Sequence, residues 1–250
     1  MTEPLLQVEK LSKFFGGLAA VREVSLSAHP EEIHAVIGPN GAGKTTLVNL
    51  LSGELAPSGG SIRFRGEEIA GLPAHRIARR GVGRSFQKTN VFAGFTAAEN
   101  CRLAAQARLP SSMRFFRPAS WRQDLHAAAE RALAAAGLSD RRGVVASTLS
   151  HGEQRQLEIA MTLATEPQLL LLDEPLAGMG AEESARMVEL LRGLGRTHAI
   201  LLIEHDMDAV FSLAQRLTVM VDGQVLESGP PAAIRASPAV QQAYLGAEET

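Results

Sequence analysis

The stretch Gly38-Pro39-Asn40-Gly41-Ala42-Gly43-Lys44-Thr45 decides how this chain folds. The apolar run 33–37 stops at its first glycine, and a segment of helical composition, 43–52, continues from its end. A buried strand that turns through glycines into a helix is the repeating unit of parallel α/β sheets. We therefore predict a mostly parallel sheet, with this loop beyond the carboxyl end of one strand.

The same loop predicts a phosphate site, because it matches the pattern G-x-x-x-x-G-K-[ST] in full. Its glycines let consecutive backbone N–H groups curl round a phosphate, and the helix that starts there adds its positive end. Lys44 is suited to neutralise β- and γ-phosphates, and the Thr45 hydroxyl to complete a Mg²⁺ shell. A glycine-rich turn without function is the alternative.

Two further motifs carry candidate chemistry. The apolar run 169–172 ends in Asp173 and Glu174, which suit Mg²⁺ binding through water and the alignment or deprotonation of an attacking water, respectively. Ser150-His151-Gly152-Glu153 opens a helical segment. This Ser-x-x-Glu pattern predicts a capping box with no function, but the same helix start could also hold an anion.

The remaining pattern predicts three regions. Strands at 5–11, 21–28 and 61–65 dominate the first third, and two Ala- and Leu-rich helices, 98–109 and 121–136, fill the middle. The last hundred residues alternate helices with apolar strands, as expected for a parallel sheet covered on both faces. The strands predicted there are 168–173, 199–203, 217–221 and 224–227, the last two joined by a hairpin at Asp222-Gly223.

In this order, the glycine-rich loop, the Asp-Glu strand end and the Ser150 helix start resemble the ATP-binding subunit of ABC transporters over nearly the whole chain. The resemblance implies ATP and Mg²⁺. It places an adenine-stacking aromatic at Phe15, with Phe14 as the alternative. It implies that Gln87 touches Mg²⁺ or water and faces the membrane subunit, and that His205 contacts the γ-phosphate.

The resemblance also defines the remaining nucleotide contacts. It implies catalytic roles for Glu174, His205, Lys44 and Gln87, and Mg²⁺ contacts for Thr45, Gln87 and Asp173. Ser150 and Gly152 would bind the γ-phosphate held by a second ATPase subunit, identical or paralogous. The predicted nucleotide-binding residues are Phe15, Gly38, Pro39, Asn40, Gly41, Ala42, Gly43, Lys44, Thr45, Thr46, Ser150 and Gly152.

Two motifs depart from the family pattern. His151 and Glu153 stand where the signature has Gly and Gln, but Ser150 and Gly152 are kept. The loop Leu176-Ala177-Gly178-Met179 lacks the aspartate that usually ends it, which puts the cross-dimer carboxylate contact in doubt.

The implied fold is an α/β P-loop NTPase with a mostly parallel core sheet, an N-terminal antiparallel β subdomain and an inserted α-helical subdomain. Residues 1–250 would form one ABC ATPase domain. Its RecA-like core would comprise 1–88 and 160–250, and its helical subdomain 89–159 with the signature.

Several short segments, including Ile203-Glu204-His205-Asp206-Met207 and the ending Ala243-Tyr244-Leu245-Gly246, resemble the importers of branched-chain amino acids and their urea and amide relatives. The alternatives are an ATPase for lipopolysaccharide export, a soluble non-transport ABC ATPase and a P-loop kinase. The sequence does not identify the solute or the direction of transport.

Charge and composition restrict the partners that the chain can bind. The chain has 250 residues, a net charge of −2 and one cysteine, Cys101, which we interpret as a packing residue. This balance argues against nucleic-acid binding.

Residues 75–122, the basic island, hold ten Lys and Arg against one acid. The island would dock two transmembrane permeases at the cytoplasmic face of the inner membrane, with a periplasmic solute-binding protein as an indirect partner. Alternatively, its arginines are solvated or pair with the acidic C-terminal half.

Overall fold

A six-stranded sheet, mostly parallel, forms the centre of the structure, as predicted. The computed structural model describes residues 3–85, 90–108 and 123–245. The strand order is β10-β9-β3-β8-β7-β6, and only β10 runs antiparallel to its neighbour. The strands are β3 (Ile33–Ile37), β6 (Val82–Arg84), β7 (Leu169–Asp173), β8 (Ala199–Ile203), β9 (Arg216–Val221) and β10 (Gln224–Gly229).

A second, antiparallel sheet is formed mainly by the N-terminal third, with the order β2-β1-β4-β5. Its strands are β1 (Leu6–Phe15), β2 (Leu18–Ala28), β4 (Gly59–Phe64) and β5 (Glu67–Glu68). β1 and β2 are longer than predicted, because they continue as a hairpin to the turn at Gly16-Gly17. The sequence analysis did not predict the short strands β5 and β6.

Nine helices surround the two sheets in the described part of the chain. They are α1 (Lys44–Leu51), α2 (Ala74–Arg79), α3 (Ala97–Gln106), α4 (Gln123–Ala135), α5 (His151–Ala164), α6 (Ala181–Leu194), α7 (Met207–Leu213), α8 (Pro231–Ala236) and α9 (Pro238–Leu245). The sequence analysis did not predict the short helices α2, α8 and α9. Within the described residues, no helix is both long and apolar enough to cross a membrane.

Alternating side chains of the central strands pack into two separate cores. Leu170 and Leu172 of β7 join the core that contains α5 and α6, whereas Leu169 and Leu171 join the core that contains α1 and the antiparallel sheet. The parallel sheet is therefore covered on both faces, which explains its continuous apolar strands.

The helices α3, α4 and α5 pack against one another, and α5 also contacts β6 and α6. Cys101 of α3 is fully buried in the core that this group shares with the central sheet. Burial raises the pKa of its thiol to about 12, so the interpretation as a packing residue holds. The division into a core at 1–88 and 160–250 and a helical subdomain at 89–159 stays a prediction.

Candidate active site

The carboxyl edge of the central sheet brings three of the predicted motifs together. Asp173 at the end of β7 lies beside Ile203 at the end of β8, and Ile203 also pairs with Val36 of β3. The glycine-rich loop therefore follows β3 at the edge where Glu174 and His205 follow their strands. Ligands of parallel sheets bind at such an edge.

Close backbone contacts explain the glycines of the loop. Gly43 has φ of +95°, and a Cβ there would lie 2.3 Å from the carbonyl oxygen of Ala20. A Cβ on Gly38 would lie 2.1 Å from the carbonyl oxygen of Met220. Since neither backbone oxygen can move without shifting a strand, only glycine fits at these two positions. The loop thus packs closely against β2 at Gly43 and against β9 at Gly38.

Lys44 is anchored at the start of α1. Its Nζ donates hydrogen bonds to the carbonyl oxygens of Gly38 (2.7 Å) and Pro39 (2.9 Å). Partial burial lowers the pKa of Lys44, and the charges of Glu174 and Asp173 oppose that shift. The first turn of α1 contains no acidic residue, so no carboxylate of that turn neutralises the positive helix end.

A cleft of about 580 Å³ lies over the loop. It is lined by Gly17 to Ala20 of the β1–β2 hairpin, by Asn40 to Thr46 and by Glu174. Phe15 pairs with Leu18 across the hairpin turn, at the margin of this cleft. Phe15 and Phe14 are 48% and 47% exposed, so exposure does not choose between them. Lys13 covers one side of Phe15, with Nζ 5.2 Å from the ring centroid.

Asp173 fits the predicted Mg²⁺ role. Its side chain is 1% exposed, and both carboxylate oxygens lack a hydrogen-bond partner in the described parts of the chain. Burial raises its pKa, an effect that Arg84 and Lys44 oppose. A buried carboxylate costs free energy unless it meets a cation or a donor. Mg²⁺ prefers oxygen ligands, so the Asp173 carboxylate and the Thr45 hydroxyl fit it.

Glu174 has a strained backbone, with φ of +50°, and its N–H donates to the carbonyl oxygen of Ile203 (2.9 Å). Such conformations persist where neighbouring structure imposes them, and they cluster at functional sites. Glu174 lines the cleft over the glycine-rich loop, together with Lys44.

Glu204 organises the neighbouring strand end, a role that the sequence analysis missed. Its buried carboxylate accepts hydrogen bonds from the backbone N–H groups of Leu176 (2.7 Å) and His205 (3.1 Å). Burial raises the pKa of Glu204, and these donors oppose the shift. The His205 ring is 67% exposed, with Nδ1 3.8 Å from Glu204. Glu204 therefore ties the loop after Pro175 to the backbone of His205.

The Ser150 helix start has the predicted capping box. Ser150 Oγ accepts from the N–H of Glu153 (3.2 Å), and Glu153 accepts from the N–H of Ser150 (2.9 Å). Arg141 donates to the same Glu153 carboxylate (2.7 Å), and these hydrogen bonds lower its pKa. His151 lies against the loop after Pro175, since a Cβ on Gly178 would be 3.4 Å from its Cε1.

Ser150 and Gly152 do not join the other site residues within this chain. They line a separate cleft of about 590 Å³, together with Arg141, Glu183 and Arg186. That cleft shares no lining residue with the cleft over the glycine-rich loop. The two predicted phosphate-binding elements thus open into different clefts of one subunit.

The basic island is only partly a free surface. Arg84 points inward, where it donates to Asn49 Oδ1 (2.6 Å) in α1 and to Ser52 Oγ (2.7 Å) just after its end. Arg108 forms an ion pair with Glu166, which agrees with the alternative that arginines of the island pair with the acidic C-terminal half. Gln87, Lys88, Arg114, Arg117 and Arg122 lie outside the described residues. Nothing in the sequence pattern distinguished Arg84 from its exposed neighbours.

Comparison with known proteins places this architecture in a family. The ABC transporter family profile matches residues 21–177, and the profile of the branched-chain amino acid ATP-binding cassette transporter matches residues 224–250. The chain belongs to the ABC transporter family, whose cassettes bind and hydrolyse ATP. The resemblance and the fold class inferred from the sequence are therefore confirmed.

Individual relatives refine the comparison. The chain is 42% identical over 253 residues to the high-affinity branched-chain amino acid transport ATP-binding protein LivG of Escherichia coli, covering 98% of this chain and 99% of that one. It is 36% identical to the lipopolysaccharide export ATP-binding protein LptB of Acidithiobacillus ferridurans, covering 97% of both. A solved nucleotide-free ATP-binding cassette from an ABC transporter is similar with a TM-score of 0.86 and 26% identity, covering 97% and 99%.

Proposed function

We propose that this chain is the ATP-hydrolysing subunit of an importer for branched-chain amino acids, or for related small amides such as urea, at the cytoplasmic face of the inner membrane. The match of its C-terminal residues to a branched-chain amino acid transporter profile and its 42% identity to LivG support this proposal. The lower identity to LptB makes lipopolysaccharide export the second candidate.

The active site that we propose is composite. One subunit supplies the glycine-rich loop, and a second ATPase subunit, identical or paralogous, supplies Ser150 and Gly152. The observation that carries this proposal is the separation of the two phosphate-binding elements into different clefts of one chain. ATP bound at the loop leaves its γ-phosphate open, and a helix N-terminus from a partner can cover it.

Each residue then has a role set by its position. Lys44 and the loop N–H groups hold the β- and γ-phosphates, while Glu174 orients and deprotonates the attacking water. His205 contacts the γ-phosphate, supported through its backbone by Glu204. Thr45 and Asp173 would hold Mg²⁺, which would supply positive charge to offset that of the phosphates. Hydrolysis removes the ligand that holds the subunits together, and their separation drives the permeases.

Replacing Glu174 by Gln tests the composite site. The amide cannot accept the proton of the attacking water, so hydrolysis should fall at least about 100-fold. ATP binding should persist, and the variant should accumulate as an ATP-bound dimer. Phosphate release and analytical ultracentrifugation with Mg-ATP measure the two effects.

Glu189→Gln is the matched control, because Glu189 is an exposed carboxylate on α6. It should hydrolyse ATP at the wild-type rate. Wild-type hydrolysis in Glu174→Gln would remove Glu174 from the base role, and a variant that stays monomeric with saturating ATP would contradict the composite site.

A candidate docking groove for the permeases is lined in large part by residues of the basic island. This groove of about 340 Å³ is lined by apolar side chains of α2, α3 and α5, and by Arg84 and Asn90, which flank the segment that contains Gln87. We propose that a cytoplasmic segment of each permease occupies it. The apolar walls suit a helix or loop that presents apolar side chains.

Replacing the exposed groove residue Ala107 by Trp should block this docking. Co-purification of the permeases with a tagged subunit should fall about tenfold, because the ring fills the groove. ATP binding by the isolated subunit should not change. Ala135→Trp, on an exposed position of α4 away from the groove, is the control. Equal recovery of permeases with both variants would place docking elsewhere.

Uptake measurements separate the transport candidates. In cells that lack this chain, uptake of labelled leucine, isoleucine and valine should fall and return with the wild-type gene. Normal uptake of all three and of urea, combined with lipopolysaccharide retained at the inner membrane, would favour the export function instead.

A further inference from the structure

The carboxylate of Glu183 binds the start of the signature helix α5 inside a single subunit. Its Oε1 accepts hydrogen bonds from Ser150 Oγ (3.2 Å) and from the N–H of Gly152 (3.3 Å). Glu183 lies in the first turn of α6, directly after the loop 176–179. One anionic oxygen therefore occupies two donors at a positive helix end, as a phosphate oxygen would.

The fit between the two helices is close. A Cβ on Gly152 would lie 2.7 Å from Glu183 Oε1, so the carboxylate packs directly against the glycine backbone. Arg186 and Arg141 line the same cleft. The Glu153 carboxylate in that cleft is already engaged by the N–H of Ser150 and by Arg141. Among the carboxylates of the cleft, Glu183 is thus the one bonded to the Ser150 hydroxyl and the Gly152 N–H.

Two anions cannot share these donors. In the proposed composite site, Ser150 and Gly152 bind the γ-phosphate carried by the other subunit. A hydroxyl proton and an N–H proton each bind one strong acceptor at a time, and a carboxylate beside the γ-phosphate would repel it. Glu183 must release both donors before ATP can join the subunits. Its side chain can do so by rotating about its own single bonds.

We propose that Glu183 is a displaceable internal ligand of the signature motif, which competes with the γ-phosphate and sets the ATP concentration needed to close the dimer. This inference rests on the proposed composite site. It assigns an inhibitory contact to a residue outside every motif of the sequence analysis. The loop after Pro175 precedes α6, so the contact also connects that loop to the signature helix. Closure of the dimer would therefore change the surroundings of both.

The test compares two substitutions in the first turn of α6, each of which replaces a carboxylate by an uncharged amide. Glu183→Gln removes the charge of the internal ligand, whereas Glu182→Gln removes an equal charge from an exposed neighbour. Glu182 makes no hydrogen bond or ion pair with the described residues, so it is a matched control. Both are placed in the Glu174→Gln background, which holds ATP without hydrolysis, and the ATP concentration at half-maximal dimerisation is measured by ultracentrifugation.

We expect Glu183→Gln to lower this ATP concentration about tenfold, in line with the loss of one charged hydrogen-bond acceptor. Glu183→Ala should lower it at least as much, and Glu182→Gln should change it less than twofold. The same substitutions are also made in the protein that retains Glu174, and the ATP affinity of each monomer is measured by calorimetry. The affinities should be equal in all variants, because the glycine-rich loop is unchanged.

An unchanged or higher half-maximal concentration in Glu183→Gln and Glu183→Ala would overturn the inference, since Glu183 would then merely support the signature helix. An equal decrease in Glu182→Gln would also overturn it, because the effect would be one of general charge. A Glu174→Gln parent that never dimerises would instead contradict the composite site, and the inference would fail with it.

Discussion

Two helix N-termini of this chain are suited to phosphate, and they are prepared in opposite ways. The start of α1 has no acidic residue in its first turn, and it carries its own cation, Lys44. The start of α5 has a capping box, and its Ser150 and Gly152 donors are bound by the Glu183 carboxylate. A positive helix end with no carboxylate in its first turn can bind an anion directly, whereas an end whose donors are held by a carboxylate can do so only when that carboxylate leaves. The start of α1 is therefore open to an anion, whereas at the start of α5 two donors are already bound by a carboxylate of the same chain.

Lys44→Ala should break the α1 half of this comparison and give the largest effect. Loss of charge-assisted contacts to two phosphates should weaken ATP binding by several kcal/mol, at least about 100-fold in affinity. Calorimetry with Mg-ATP measures it. The hydrogen bonds at the start of α5 should be unaffected. The variant should also stay folded, with a melting temperature within a few degrees of the wild type. Equal ATP affinity in variant and wild type would contradict the assignment of the loop.

Acid should lower the free energy of unfolding through a histidine in β3, the strand that precedes the glycine-rich loop. His34 of β3 is fully buried, where Nδ1 donates to the Ser27 carbonyl (2.9 Å) and Nε2 accepts from the Thr218 hydroxyl (2.8 Å). Burial lowers its pKa from 6.5 to about 4. The unfolded chain therefore binds a proton first as pH falls below 6.5, and the free energy of unfolding should decrease by up to about 3 kcal/mol by pH 4.

Urea unfolding of wild type and His34→Gln between pH 7 and 4 isolates this contribution. The glutamine can replace both hydrogen bonds without titrating, so the difference in stability between the two proteins should shift with pH by about 3 kcal/mol. Parallel pH profiles for the two proteins would show that His34 does not cause the acid sensitivity.

The two capping boxes provide the smallest and sharpest comparison. Thr96 caps α3 with Glu99 in the same way as Ser150 caps α5 with Glu153. Thr96→Ala and Ser150→Ala should each lower the free energy of unfolding by about 1 kcal/mol. Only Ser150→Ala should also reduce ATP-dependent dimerisation in the Glu174→Gln background. If both variants dimerise equally, Ser150 is only a cap.

The parts of the site that the sequence predicted are those carried by consecutive residues. The glycine-rich loop, the Asp173-Glu174 strand end and the Ser150 capping box each need a few neighbours and a strand or helix boundary. Apolar runs of four or five residues located β3, β7 and β8 correctly, because strands buried on both faces require consecutive apolar residues. Short elements such as β6 and α2 lacked enough periodic residues to be recognised.

The sequence by itself thus determined the class of the protein, the sheet and the residues suited to ATP. The tertiary structure decided what those residues touch. It turned Arg84 inward to α1, placed Glu204 under the backbone of Leu176 and His205, and set Glu183 on the signature helix. The Arg84, Glu183 and Glu204–Leu176 contacts join side chains to groups about thirty residues away. No local periodicity encodes such contacts, because they depend on how helices and loops pack after the strands have aligned.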